Sequence, residues 1–361
     1  MATAAESSTP AMSTVTAASA DPSCPPFPLL EEEDDKEGRH EHDEQQQQEE
    51  EAPHGGEMEL PTVDLEAPGD ALAAACRRLG MFRLANHGVP GDLSARLFAL
   101  ARDILGRTPF QEKQAQPGYF WGTPALTLRV KDVNWVEGFH VALGQQRPLD
   151  VGPPFSEFRD VVSEYGEHMA RVARKLFDAM SAALGLDAAQ TTSYLAERDG
   201  TLRVYRYPPC TSASSSRGHR HRHLGMEAHT DSSVLSIINQ DLVGGLQVLH
   251  DGQWRDVAPA AGGGAGNNED TDLLLVNLGD MAQAISGDAW RSVRHRVAAS
   301  GADAERLSIC YFGFPREDAV LTCRGGSSRY MPFSYAQFRE QVQADIKATG
   351  SKVGLQRFLR Q

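Results

Sequence analysis

Three absences bound what this 361-residue chain can be. It has only five cysteines (Cys24, Cys76, Cys210, Cys310 and Cys323), and they show no paired spacing. That argues against a disulfide framework and fits reduced thiols in the cytoplasm. No stretch approaches eighteen consecutive apolar residues, so no membrane-spanning helix is expected. The N-terminus lacks the apolar core of a secretory signal and has no basic residue before Lys36, so it also makes a poor transit peptide. A basic excess is missing as well. The formal net charge is −14, but the first 59 residues hold 16 of the 49 acidic side chains and only Lys36 and Arg39 as basic ones. The rest of the chain is balanced at 33 of each sign, which leaves no electrostatic footprint for nucleic acid.

The acidic segment begins with Ala, Ser, Thr and Pro and continues through runs of Glu, Asp and Gln. Low hydrophobicity with like charge cannot offset the entropy of ordering, so residues 1–57 are expected to be a disordered tail, dispensable for catalysis. Beyond it, 60–65 and 81–85 read as strands, 70–79 as a helix, and 90–105 as a longer helix with Leu93, Leu97, Leu100 and Ile104 on one face. The Gly-interrupted aromatic segments between 117 and 141 read as strands and loops beside a pocket. Residues 155–184 repeat apolar side chains at three- and four-residue spacing, which predicts one long helix. After Gly185 the pattern changes to short strands at 202–207, 234–239, 246–249, 254–257, 273–278 and 307–314. Asp251-Gly252 marks a tight hairpin. Many short strands with tight turns argue for a sandwich or jelly roll. A last helix, 334–349, ends at Gly350. Two polar insertions interrupt the series: a Ser-rich loop at 212–223 that ends in His219, His221 and His223, and a Gly/Asn-rich loop at 260–271. Both read as solvated loops.

The chemistry is concentrated in a few positions. His229 and Asp231 are two apart, so on a strand they leave the same face. One imidazole and one carboxylate supply two ligands for a divalent transition metal, and His295 is the candidate third. Two histidines and one carboxylate leave about three octahedral positions open, the facial arrangement of non-heme Fe(II) oxygenases. Just downstream, Arg306 and Ser308 share one strand face and suit a bidentate grip on a carboxylate. An open metal beside such a clamp suggests a keto-acid co-substrate. His87, within Asn86-His87-Gly88, reads instead as a structural turn residue.

In these residues the chain resembles the plant 2-oxoglutarate- and Fe(II)-dependent dioxygenases: the catalytic domain over 200–315, and the N-terminal domain at Leu60-Pro61-Thr62-Val63-Asp64-Leu65 and Gly80 to Gly88. The resemblance implies a mainly β protein with flanking helices, a double-stranded β-helix (jelly-roll) core and an α/β N-terminal domain. The expected units are the tail 1–57, the N-terminal domain 58–190, the jelly roll 198–318 and a helical extension 319–361. It further implies iron on His229, Asp231 and His295, and 2-oxoglutarate on Arg306 and Ser308 with Tyr207. O2 would be the oxidant and ascorbate the reductant. Tyr205 departs from the family's Asn-x-Tyr-Pro pattern. Thr230 to Ser233, Asn239 to Val248, Val276 to Asp280, Tyr119 to Pro124 and Glu137 to Val141 are most similar to gibberellin 2-oxidases, particularly those acting on C20 precursors. That implies a diterpenoid hormone substrate and 2β-hydroxylation, with Arg129 and Lys131 as candidate carboxylate anchors. Another gibberellin position, a flavonoid-type substrate, or a catalytically silent jelly-roll binding protein remain open alternatives. The enzyme is expected to be a monomer.

Overall fold

The computed structural model describes residues 21–26, 52–122, 134–145, 152–196, 200–209, 224–259, 273–298, 304–323 and 329–360. Arg129, Lys131, Cys210, the histidines of loop 212–223 and the insertion at 260–271 lie outside them. Two sheets face each other. The larger has the order β2-β3-β11-β8-β13-β6-β5-β4, with β2 Thr62–Asp64, β3 Met81–Ala85, β4 Tyr119–Trp121, β5 Glu137–Ala142, β6 Thr201–Tyr207, β8 Leu235–Gln240, β11 Leu274–Leu278 and β13 Arg306–Gly313. The smaller has the order β1-β10-β9-β12-β7, with β1 His54–Met58, β7 Leu224–His229, β9 Leu246–His250, β10 Gln253–Val257 and β12 His295–Ala298. From β6 to β13 the chain passes back and forth between the two sheets, which is the expected double-stranded β-helix. A small ribbon, β14 Val320–Leu321 with β15 Phe333–Ser334, follows.

Strand alternation divides the side chains of β6 and β13. Leu202, Val204, Ile309 and Tyr311 face outward into the larger apolar core, while Tyr205, Tyr207 and Cys310 face inward, into a cluster with Ile238, Val248 and Val297. The outer face is covered by the long helix (α4, Phe155–Leu184), whose Phe158, Val162, Met169, Leu176 and Phe177 are fully buried. Each such side chain contributes roughly 1.5–3 kcal/mol by leaving water. Gly185 ends that helix in the left-handed conformation, φ 64°. The β9–β10 hairpin turns on Asp251 (φ 49°) and Gly252 (φ 70°), the pair of positive φ values that a two-residue turn matching strand twist requires. The other helices are α1 Gly69–Arg78, α2 Gly91–Arg107, α3 Phe110–Gln114, α5 Ala188–Tyr194, α6 Asp280–Ile285 and α7 Tyr335–Thr349. Helix α7 is opened by a reciprocal cap between Ser334 and Gln337.

Most of the expected tail, residues 1–20 and 27–51, lies outside the described residues. Within the stretch expected to be disordered, His54–Met58 adds a parallel strand to the edge of the smaller sheet, with His54 Nε2 2.8 Å from Asp256 Oδ2. Residues 21–26 lie against α2 and α3: the Ser23 hydroxyl donates to the Gly106 carbonyl, and the Pro22 carbonyl accepts from the Phe110 N–H. Composition predicts the average behaviour of a segment, whereas a few residues that meet an open sheet edge or a free carbonyl can still be held. The larger sheet also runs across the expected 190/198 boundary, because β2–β3 and β4–β5 flank the jelly-roll strands on both sides.

Opposite the site, on the outer face, lies a buried charge network. Lys113 Nζ donates to Glu137 Oε2 and to the Ser23 and Leu105 carbonyls, and Arg206 donates to Glu137 Oε1 and Glu305 Oε2. Lys113 and Glu137 are completely buried. Two cations face two carboxylates, and the network ties α2 and α3 to β5 and β6.

Candidate active site

His229 is the last residue of β7, Asp231 lies beyond it in the turn to β8, and His295 opens β12 directly opposite His229 in the antiparallel register. The shared strand face expected for His229 and Asp231 is thus not what joins them, because the strand ends before Asp231. Cross-strand pairing and the turn bring the three together. One ligand atom from each lies within 4.8 Å of the others. Asp231 Oδ1 is 3.8 Å from His229 Nε2 and 3.9 Å from His295 Nε2. Such gaps can be spanned by ligands roughly 2.1 Å from a common ion.

Each group is held so that one atom is free to coordinate. His229 Nδ1 lies 2.7 Å from the Glu227 carbonyl and His295 Nδ1 3.1 Å from that of Val293. A carbonyl accepts only, so both rings carry a proton on Nδ1 and turn Nε2 inward, the nitrogen left for a metal. Burial, then the neighbouring His295, shifts the His229 pKa downward, which favours the neutral ligand form. Asp231 Oδ2 accepts from Ser236 Oγ (2.6 Å) and Asn277 Nδ2 (2.7 Å), leaving Oδ1 for the centre. Burial opposes ionisation of Asp231, but the two histidines and these two donors outweigh it and hold the pKa below the usual value. Two neutral imidazoles and one carboxylate fit a divalent transition metal with open positions.

The second half of the site lies deeper. Arg306, 2% exposed, pairs with Tyr207 across β13 and β6. Its guanidinium donates to Ser308 Oγ (3.2 Å) and Gln240 Oε1 (2.8 Å) and lies 4.8 Å from the Tyr207 ring centre. Among the described residues no carboxylate pairs with it, and its Nε has no partner. A buried cation without an anion is costly, so this position is suited to an anionic ligand. Gly225 on β7 makes room for the Tyr207 ring, since a Cβ there would come within 2.6 Å of it. His87 holds its turn, its Nδ1 accepting from the Val89 N–H.

Sequence reasoning missed several contributors. Asn134 Oδ1 accepts from the Glu227 N–H and steadies β7 just before His229. Ser236 and Asn277 orient Asp231; the lone signal was Asn277 inside an otherwise apolar strand. Arg203 on β6 faces inward on the same side as Tyr205 and Tyr207. It donates to His140 Nδ1 (3.1 Å) and the Tyr205 hydroxyl (3.2 Å), and it lies 5.3 Å from the Phe312 ring centre. Among the described residues it, too, has no carboxylate. Tyr205 packs edge-on against Phe120 at 5.7 Å, so a large aromatic fills the place where the family pattern has Asn.

Comparison with known proteins agrees with this geometry. The profile of the 2OG-Fe(II) oxygenase superfamily matches residues 198–315, and that of the non-haem dioxygenase in morphine synthesis N-terminal region matches 60–150. The chain is 34% identical over 327 residues to gibberellin 2-beta-dioxygenase 6 of Oryza sativa subsp. japonica, covering 84% of this chain and 86% of the relative. It is 31% identical to gibberellin 2-beta-dioxygenase 8 of Arabidopsis thaliana, covering 84% and 88%. Among solved structures, the rice dioxygenase for auxin oxidation is similar with TM-score 0.64 and 28% identity, over 84% of this chain and all of that one. A structure of JOX2 with 2OG, Fe and JA is similar in fold with TM-score 0.67 at 24% identity, over 86% of this chain and 91% of that one.

Proposed function

Because the chain belongs to the 2OG-Fe(II) oxygenase superfamily, we propose that it is a gibberellin 2β-hydroxylase in which His229, Asp231 and His295 hold the iron. Dioxygenase chemistry with Fe(II) and 2-oxoglutarate comes with the family. A metal held by His229, Asp231 and His295 would activate O2, the oxidant, and so couple decarboxylation of 2-oxoglutarate to succinate and CO2 with hydroxylation of a substrate C–H bond. This chain's residues position and exclude. Arg306, Ser308 and Tyr207 receive the far carboxylate of 2-oxoglutarate. The Tyr207 hydroxyl stays protonated because burial raises its pKa, so it donates rather than repels. The apolar lining of Ile238, Val248 and Val297 keeps water away. The observation that carries this reading is a buried arginine with no anion among the described residues, on the inner face of the jelly roll that also carries three convergent metal-ligand atoms.

The gibberellin assignment rests on the two relatives named as gibberellin 2-beta-dioxygenases and on Arg203. A rigid diterpenoid acid needs an apolar pocket with one cationic anchor. Arg203, held against Phe312 by His140 and Tyr205, is such a cation, and it joins Arg129 and Lys131, which lie outside the described residues, as a candidate. It stands four residues from Tyr207 on β6, about 13 Å along the strand at the usual rise. We read the enzyme as monomeric and cytoplasmic; no helix among the described residues is long and apolar enough to cross a membrane.

The test is incubation of the purified protein with Fe(II), ascorbate, 2-oxoglutarate and a panel of C19 and C20 gibberellins and flavonoids, with products identified by mass spectrometry. A 2β-hydroxylated gibberellin formed together with succinate is the expected result. A product hydroxylated elsewhere, or a flavonoid product, would reassign the substrate. Failure to consume 2-oxoglutarate with every candidate would favour a silent binding protein.

A further inference from the structure

The C-terminal segment reaches back to the metal-bearing turn through one side chain. Lys352, between α7 and the final 3-10 turn Gly354–Phe358, places its ammonium 2.8 Å from the Thr230 carbonyl oxygen and 3.2 Å from Thr230 Oγ1. The same nitrogen is 2.6 Å from Asp280 Oδ2, an ion pair in which both side chains are largely buried. Phe338 of α7 lies beneath it, 5.7 Å from ammonium to ring centre. Thr230 is the residue between His229 and Asp231.

The contacts fall on the backbone in a particular way. The Thr230 carbonyl belongs to the peptide that enters Asp231, and Lys352 holds it. The Asp231 carbonyl belongs to the peptide that leaves, and the Asp280 N–H holds that one at 2.8 Å. The Met281 N–H donates to the carbonyl of Ser233, two residues farther on. Both peptides flanking Asp231 are therefore clamped by one unit, the Lys352–Asp280 pair at the head of α6, while Ser236 and Asn277 clamp the carboxylate. Because the turn lies outside the strand ladder, its backbone has no sheet hydrogen bonds to fix it, and the pair takes over that role. A lysine lends itself to this, since one ammonium can serve a carbonyl, a hydroxyl and a carboxylate at once.

We propose that Lys352 is a positioning residue for the iron centre, holding the His229–Asp231 turn in ligating geometry from the C-terminal segment. The inference rests on the assignment of His229, Asp231 and His295 as the metal ligands. Supports that orient ligands commonly carry about ten- to a hundredfold of metal affinity. Lys352 acts through the backbone, so a loss near the lower end, about tenfold, is expected.

The experiment is a titration of metal-free wild-type protein and Lys352→Met with Co(II), followed by its visible absorption, with the thermal midpoint of the metal-free proteins measured alongside. Lys352→Met should bind Co(II) about tenfold more weakly, and its half-saturating Fe(II) in turnover should rise by the same factor while that of 2-oxoglutarate stays put. A Co(II) affinity within twofold of wild type would overturn the proposal, whatever happens to the thermal midpoint, because a purely structural lysine would move only the latter. If Lys352→Met does not fold, Asp280→Asn carries the measurement: it removes the anion that steers the ammonium but keeps the backbone donor to Asp231. A several-fold weaker Co(II) affinity is then expected, and an unchanged one overturns the idea. Wild-type protein that binds no Co(II) would instead refute the metal-site assignment itself, which separates the two failures.

Discussion

Two buried arginines on neighbouring strands, Arg206 on β6 and Arg306 on β13, are desolvated to a similar extent, 6% and 2% exposed. Arg206 faces the outer side of the larger sheet and meets Glu137 and Glu305; Arg306 faces the inner side and meets only neutral oxygens. The first belongs to a network whose charges balance inside the fold, so its role is complete once the chain has folded. The second has no such partner among the described residues, and on the proposed function it awaits the carboxylate of 2-oxoglutarate. Burial alone does not separate a structural charge from a ligand-binding one; the presence or absence of a partner does.

The comparison breaks most visibly on the outer side. Glu137→Gln leaves Lys113 and Arg206 facing a neutral amide, and removing one member of a buried charge cluster costs about 3–5 kcal/mol. Urea unfolding should show that loss, and an unchanged midpoint would mean the network contributes no net stability. On the inner side the outcome should reverse. Arg306→Met should leave the stability of the ligand-free protein undiminished, because the charge it removes has no anion there, while abolishing use of 2-oxoglutarate. A large drop in its unfolding midpoint would show that Arg306 is a structural residue after all.

Arg306→Lys is a gentler probe. The charge persists but the fork is lost, and one charged hydrogen bond is worth about 1.5–3 kcal/mol, or roughly ten- to a hundredfold in affinity. The 2-oxoglutarate needed for half-maximal rate should rise by that factor with iron binding unchanged. Superimposable titrations of variant and wild type would mean that another residue holds the co-substrate.

Deleting residues 1–26 tests the reach of the outer network. Lys113 would lose the Ser23 carbonyl, one of its three acceptors, at a cost of about 1–3 kcal/mol in stability. The turnover number should stay the same, and a fall in rate without a fall in stability would contradict the structural role.

The smallest expected effect concerns pH. Desolvation, and next the Arg203 guanidinium, depress the His140 pKa from 6.5 to about 4, and because the side chain remains exposed, water screens the effect and keeps its contribution small. Between those values the unfolded chain takes up a proton that the folded chain refuses, so stability should fall as pH drops from about 6.5 towards 4. His140→Gln should remove that part of the slope; an identical pH profile would mean that His140 is protonated freely in the folded protein.

What could be read from residue order follows from what is local. Helix α4 was legible end to end because thirteen buried residues recur at helical spacing. The β9–β10 hairpin was legible because Asp251-Gly252 tolerates positive φ at both positions. The residues proposed for metal and co-substrate stood out in the sequence because their types are rare in such proximity, but the shared strand face expected for His229 and Asp231 is not what the structure shows. They meet through the register of β7 with β12 and a turn, rather than through a shared strand face. The sequence by itself determined the chemistry available to this protein: two imidazoles, a carboxylate and a guanidinium beside a hydroxyl. Only the tertiary structure decided which charges are spent within the fold and which are left for one. It set Arg206 against Glu137, left Arg203 and Arg306 without anions among the described residues, laid His54–Met58 along a sheet edge, and brought Lys352 across 122 positions to Thr230. Contacts between such distant residues leave no periodicity in the chain, because they are set by how strands and helices pack and not by the spacing of neighbours.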